Sequence, residues 1–157
     1  MPIPIVNSIA SWFLKKRFHQ IELFIKYTNE VQNELLLDLI DEARDTEIGR
    51  QYDFNSIESY EEFANRVPIL AYEEYESLIE RSRRGESNIF WPGPIKWFAK
   101  SSGTTNSKSK FIPVSSDSLE DCHYAAGKDL LCLYLNNNEN SQLFTGKSLR
   151  LGGSKEL

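Results

Sequence analysis

Ile95-Lys96-Trp97-Phe98-Ala99, then Lys100-Ser101-Ser102-Gly103-Thr104-Thr105-Asn106-Ser107-Lys108-Ser109-Lys110, then Phe111-Ile112-Pro113-Val114 is the stretch on which the reading of this chain turns. Its two flanks are short aromatic and β-branched runs, which predicts a strand on each side. The middle contains no apolar residue and concentrates small hydroxyl side chains, one glycine and several lysines. A turn of that make-up offers successive backbone N–H groups and hydroxyls to phosphate oxygens: Gly103 permits close approach and positive φ, and lysine neutralises the anion. From Lys96 to Ser116 there are four lysines and no carboxylate, although the whole chain carries a net charge of -5. A polar hairpin connection uses the same residue types, so composition leaves both readings open. It is not a Walker A loop, because the residue five after Gly103 is Lys108 where that pattern needs glycine, and it is not a Rossmann fingerprint.

Toward the N-terminus the periodicity turns helical. Ile21, Phe24, Ile25, Thr28, Val31, Leu35 and Leu39 recur at three- and four-residue steps with Glu22, Lys26, Glu30, Glu34 and Asp38 opposite, predicting one amphipathic helix that ends near Arg44 or Asp45. Ile5, Ile9, Trp12 and Phe13 predict a shorter helix before it, with Lys15, Lys16 and Arg17 at the negative end of its dipole. Gly49 reads as a stop. Ser59 with Glu62 three residues on makes a capping box, and Pro68 disfavours helix at Val67, so two short helices follow, the second over Tyr72 to Arg83. Arg81, Arg83 and Arg84 read as a solvated last turn, with Gly85 as the left-handed stop. Glu73-Glu74-Glu76 has no metal-ligand partners in view and reads as a solvated face.

Three further runs complete the chain. Ile89-Phe90-Trp91 predicts a strand. Ser116 or Asp117 caps a helix with Leu119, Cys122, Ala126, Leu130 and Leu133 on one stripe, closed by Asn136-Asn137-Asn138. Ser148-Leu149-Arg150-Leu151 predicts a last strand entering Gly152-Gly153. The expected organisation is thus helical over 1–87 and strand-rich with the loop over 88–157.

The 157 residues, 40% hydrophobic with 26% charged and three Trp, are globular usage. A chain of that size buries about 68–70% of its unfolded surface. The acidic balance argues against nucleic acid or an anionic membrane as partner. Cys122 and Cys132 lie on one predicted helix facing apart, no apolar run reaches the 18 or so residues of a spanning helix, and no basic residue precedes the N-terminal apolar patch, so a reducing, cytoplasmic setting is expected. His19 and His123 read as ordinary helix positions. Cys122 and His123 are neighbours about 100° apart on a helix and form no dyad. Both cysteines read as packing residues.

Ser101-Ser102-Gly103-Thr104-Thr105, with lysines behind it and Ile112-Pro113-Val114 as the next strand, resembles the phosphate-binding signature of the adenylate-forming enzyme superfamily. Thr46-Glu47-Ile48-Gly49, Tyr60-Glu61-Glu62-Phe63, Val67-Pro68-Ile69, Tyr72-Glu73-Glu74-Tyr75 and Gly85-Glu86-Ser87-Asn88 resemble, in order, the auxin-responsive (Gretchen Hagen) acyl-acid amido synthetase family, especially its bacterial members. The resemblance runs from about Gln32 to Leu157.

That resemblance implies an α/β fold, with N-terminal helices packed on the first strands of an adenylation domain. It implies ATP with Mg2+ as cofactors, a small-molecule acyl acid and an amino acid as partners, and an acyl-adenylate whose acyl group passes to an amine. Ser101, Ser102 and Thr105 would offer hydroxyls and N–H groups to phosphate, Gly103 and Thr104 would shape the turn, and Lys108 or Lys110 would bring positive charge, with Lys110 preferred. The usual loop continues Gly, any residue, Pro, Lys, whereas here Asn106 to Lys110 follow. The family's adenine, ribose, metal and most acyl-pocket residues would lie past Leu157, so residues 1–157 are expected to be the first part of a large domain. Alone they would be inactive and liable to self-associate through unpaired strands. Two alternatives are a coenzyme A ligase of the same superfamily and a non-enzymatic helical interaction module.

Overall fold

The computed structural model describes Ile9, Trp12, residues 17–101 and 109–138, and Asn140, Ser141, Leu143, Phe144, Lys147 and Leu149. The element order is α1 (Phe18–Lys26), α2 (Thr28–Ala43), α3 (Glu47–Gln51), a 3-10 turn (Phe54–Ser56), α4 (Tyr60–Arg66), α5 (Tyr72–Arg83), β1 (Trp97–Lys100), β2 (Phe111–Val114), a π-helical stretch (Ser118–Tyr124) and α6 (Ala125–Asn137). It is an α/β chain: among the described residues, helices accompany a two-stranded antiparallel sheet. Two compact units emerge, one from residues 24–125 and one from residues 1–23 with 126–157.

In the 24–125 unit the core is Ile40, Ala43, Phe54 and Ile57, with Leu36, Ile48, Phe63, Val67 and Trp91 packed against it. The expected single helix over Ile21 to Arg44 is broken at Tyr27, whose φ/ψ of -120/43 is not helical. Thr28 Oγ1 donates across the break to the Phe24 and Ile25 carbonyls at 2.9 and 3.0 Å. The interruption resets the helical phase, so α2 buries Ile40 and Ala43 and half-buries Leu36 while the expected Leu35 and Leu39 stay exposed.

Gly49 is not a stop. It lies inside α3, where a Cβ would sit 2.1 Å from the Ala43 carbonyl oxygen, so the bare backbone lets α3 close on the end of α2. Thr46 caps α3 and is wholly buried; its Oγ1 accepts the Gly49 N–H at 3.0 Å and donates to the Ala43 carbonyl at 2.7 Å.

Ile89-Phe90-Trp91 forms no strand, because Asn88 and Gly93 take positive φ (60° and 77°) and close a loop. Asn88 Oδ1 accepts the Gly93 N–H at 2.7 Å, and the Asn88 and Ile89 carbonyls accept the first N–H groups of α3, from Glu47 and Ile48, at 2.8 and 3.1 Å. The expected capping at Ser59 is present, with Ser59 Oγ accepting the Glu62 N–H at 3.3 Å; the Glu62 carboxylate reaches Glu58 N–H, one residue earlier than the standard box. α5 spans the expected residues and ends at Gly85 with φ 91°. Arg81 is more than a solvated end, since its guanidinium donates to both oxygens of Glu47 (2.9 and 2.7 Å) and to Glu86.

The helix after β2 begins with a π-helical stretch, so a stripe extrapolated at 3.6 residues per turn fails there. Cys122, Ala126, Leu130 and Leu133 are exposed, correcting the packing role expected for Cys122. In the other unit, α6 buries Cys132 and Leu135, and Asp129 pairs with Arg17 at 2.7 Å. The expected helix before Phe13 and the strand at Ser148–Leu151 fall on residues of which only Ile9, Trp12 and Leu149 are described. Among the described residues no helix is long and apolar enough to cross a membrane.

Candidate functional site

β1 and β2 pair in the register Trp97↔Val114, Phe98↔Pro113, Ala99↔Ile112 and Lys100↔Phe111. The ladder runs one step further. Ser101 N–H donates to the Lys110 carbonyl at 2.9 Å, and Lys110 N–H returns a bond to Ser101 Oγ at 3.0 Å. The expected strands thus form a hairpin whose stem ends at Ser101 and Lys110. Of the residues assigned to phosphate, Ser101 and Lys110 are brought together there; Ser102, Gly103, Thr104, Thr105 and Lys108 lie outside the described residues.

α5 lies against β2 and holds this end of the hairpin. Tyr72, Glu76, Glu80 and Arg83, spaced four, four and three apart, share one helix face. Phe111 N–H donates to Tyr72 Oη at 3.0 Å. Lys110 Nζ pairs with Glu73 Oε1 at 2.9 Å and sits 4.9 Å from the centre of the Tyr72 ring. Arg83, itself bonded to Glu80 at 2.6 Å, stacks its guanidinium 3.8 Å above the Phe111 ring, and Lys100 Nζ stands 5.9 Å from that ring. The same face of α5 joins Lys100, Ser109 and Phe111 in lining a cleft of about 470 Å³.

The acidic run is exposed, as expected of a solvated face, and two of its members are also bonded: Glu73 pairs with Lys110, and Glu74 accepts the Ala71 N–H at 2.7 Å to start α5. The hydrogen bond from Lys110 holds the Glu73 carboxyl below the usual carboxylate range. The lysine-rich stretch that looked uncompensated along the chain therefore meets one carboxylate of α5 in space, Glu73 at Lys110. Reading along the sequence missed Tyr72, Glu73 and Arg83; the signal that could have found them was the polar stripe at helical spacing on α5.

Comparison with known proteins adds to this geometry. The family model described as GH3 family N-terminal domain matches residues 17–156. An indole-3-acetic acid-amido synthetase, GH3.5 of Arabidopsis thaliana, is 31% identical over 107 residues, covering 68% of this chain and 18% of that protein. A jasmonoyl-L-amino acid synthetase, JAR4 of Nicotiana attenuata, is 28% identical over 140 residues, covering 88% of this chain and 24% of its own. A probable indole-3-acetic acid-amido synthetase of rice is 32% identical over 101 residues. The chain thus spans 18% and 24% of the length of the first two relatives. With the hairpin, its hydroxyl- and lysine-rich connection and a family match over nearly all its residues, the chain belongs to the GH3 family and carries that family's N-terminal domain.

Proposed function

We propose that this chain supplies the phosphate-holding part of an ATP-dependent acyl-acid amido synthetase, which joins a small carboxylic acid to an amino acid. One observation carries the reading: in a GH3-family chain, a hairpin ends at Ser101 and Lys110 and carries between them a connection rich in hydroxyls, N–H groups and lysine. The donor set suits a polyphosphate: the connection itself carries no carboxylate from Lys96 to Ser116, and the carboxylate that reaches it from α5 is Glu73, on Lys110. ATP, when bound, supplies the adenylyl group that activates the carboxylic acid for attack by an amine.

In this reading Ser101, Ser102 and Thr105 bind phosphate oxygens through hydroxyls and N–H groups. Gly103 and Thr104 allow the backbone to approach, and Lys108 or Lys110, with Lys110 preferred, balances the charge. Ser101 and Lys110, bonded to each other at the end of the hairpin, are in place before phosphate arrives, and donors set in advance stabilise developing charge without reorganising. Mg2+ accompanies ATP, but among the described residues no three His, Cys, Asp or Glu side chains gather to hold a metal, so the reading gives Mg2+ no ligand here.

The test uses the whole protein that contains this chain, with ATP–pyrophosphate exchange and amide formation measured on indole-3-acetate and on jasmonate as probe acids. Ser102→Ala and Lys108→Ala should each lower kcat/KM for ATP, by up to about 100-fold for a donor that acts in the transition state. Unchanged values for both would overturn the phosphate assignment. A thioester with coenzyme A in place of an amide would favour the ligase alternative. The 157-residue chain alone, at 18% and 24% of the length of the first two relatives, is expected to give no exchange.

A further inference from the structure

The loop lysine whose position is described, Lys110, does not stand free at the end of its hairpin. Its backbone is fixed on one side by Ser101, through N–H to Lys110 carbonyl at 2.9 Å and Lys110 N–H to Ser101 Oγ at 3.0 Å. On the other side the next residue, Phe111, gives its N–H to Tyr72 Oη at 3.0 Å. The side chain is fixed by the same helix turn, with Nζ at 2.9 Å from Glu73 Oε1 and 4.9 Å from the Tyr72 ring centre. Two consecutive residues of α5 thus define where this ammonium sits.

Stability does not account for the arrangement. The Glu73 and Lys110 side chains are 65% and 43% exposed, and exposed pairs of this kind contribute little to folding. A contact that is weak as a stabiliser still restricts a flexible side chain with four rotatable bonds, and restricting a binding group before its ligand arrives raises affinity.

We propose that Tyr72 and Glu73 are positioning residues for Lys110: the first turn of α5 presets the lysine so that its ammonium meets ATP phosphate with little further ordering. This rests on the reading of Lys110 as a phosphate contact given above. Tyr72 sets the backbone through Phe111, and Glu73 sets the side chain. Neither touches the nucleotide.

The experiment measures KM for ATP and kcat separately in the whole protein, for Tyr72→Phe, Glu73→Gln, Glu73→Asp, Lys110→Met and the double variant Glu73→Gln/Lys110→Met. Glu73→Gln and Tyr72→Phe should each raise KM for ATP about fivefold to tenfold, the loss of one hydrogen bond, with kcat and the KM for the acyl acid within twofold. Glu73→Asp, which keeps the carboxylate, should recover most of the loss. The double variant should be no worse than Lys110→Met alone, because a positioning residue has nothing to position once the ammonium is gone. If Lys110→Met itself leaves KM for ATP unchanged, the phosphate reading of Lys110 fails. If Lys110→Met raises KM but Glu73→Gln and Tyr72→Phe do not, the reading stands and the positioning inference is overturned. A lower KM in Glu73→Gln would also overturn it, since Glu73 would then compete with phosphate for the lysine.

Discussion

Replacing Thr46 by Val removes one hydroxyl and almost nothing else, at a position that is 0% exposed. Two bonds are lost, to the Gly49 N–H and the Ala43 carbonyl. Their consequences differ. The Ala43 carbonyl keeps the Thr46 backbone N–H at 3.0 Å, so it remains paired. The Gly49 N–H, in the first turn of α3, has no other acceptor within its own helix. Loss of an N-cap costs about 1 kcal/mol, and a buried donor left unpaired about 1–3 kcal/mol, so Thr46→Val should destabilise by about 2 kcal/mol. Thr46→Ser restores the hydroxyl and removes one buried methyl, about 1 kcal/mol. Urea unfolding followed by tryptophan fluorescence should therefore order the midpoints wild type, Ser, Val, with the Val midpoint lower than wild type by about 1 M at unchanged slope. Equal midpoints for Val and Ser, or Ser below Val, would show that the methyl and not the hydroxyl holds α2 to α3.

Gly49→Ala should cost more, about 3 kcal/mol or above, because the new Cβ meets backbone at 2.1 Å and backbone cannot rotate away; a urea midpoint within 0.3 M or so of wild type would contradict this. Ser82→Ala should be neutral or stabilising by up to about 1 kcal/mol, since the Ser82 hydroxyl is buried at 1% exposure with no partner among the described residues; clear destabilisation in the same assay would mean that the hydroxyl is satisfied. Arg81 holds the carboxyls of Glu47 and Glu86 below their ordinary value of 4.5. A carboxyl lowered on folding binds fewer protons in the native than in the unfolded state. Its contribution is therefore present above 4.5 and is lost as pH falls through the folded value. Thermal melts should show that acid loss in wild type and a smaller one in Arg81→Ala; equal acid sensitivity would refute the coupling.

What could be read along the chain was whatever neighbouring residues decide among themselves. α5 over Tyr72–Arg83, its Gly85 stop, the cap at Ser59 and β2 over Phe111–Val114 all rest on local chemistry, and the structure has each. The failures depend on partners far away. Nothing near Ile89 announces that its carbonyl will cap α3, or that Asn88 and Gly93 will close on each other. Leu35 and Leu39 satisfied the helical period as well as Leu36 and Ile40 did; the break at Tyr27 and the close approach at Gly49 selected the second set. At the site, the two strands were legible, while the clamp from α5 was not. Glu73 and Lys110 are 37 residues apart, and only the packing of helix on strand makes them neighbours.

The bond from Phe111 to Tyr72 also decides how this sheet is able to grow. In an antiparallel pair, donors alternate between the partner strand and the open side. With Ser101 and Lys110 as a bonded pair, the residues of β2 that face away from β1 are Phe111 and Pro113. Phe111 has given its hydrogen to a tyrosine, and Pro113 has none to give. A strand approaching β2 from outside, from this polypeptide or from a second copy, therefore meets carbonyls and no free N–H of β2, so this edge offers it half a ladder at most.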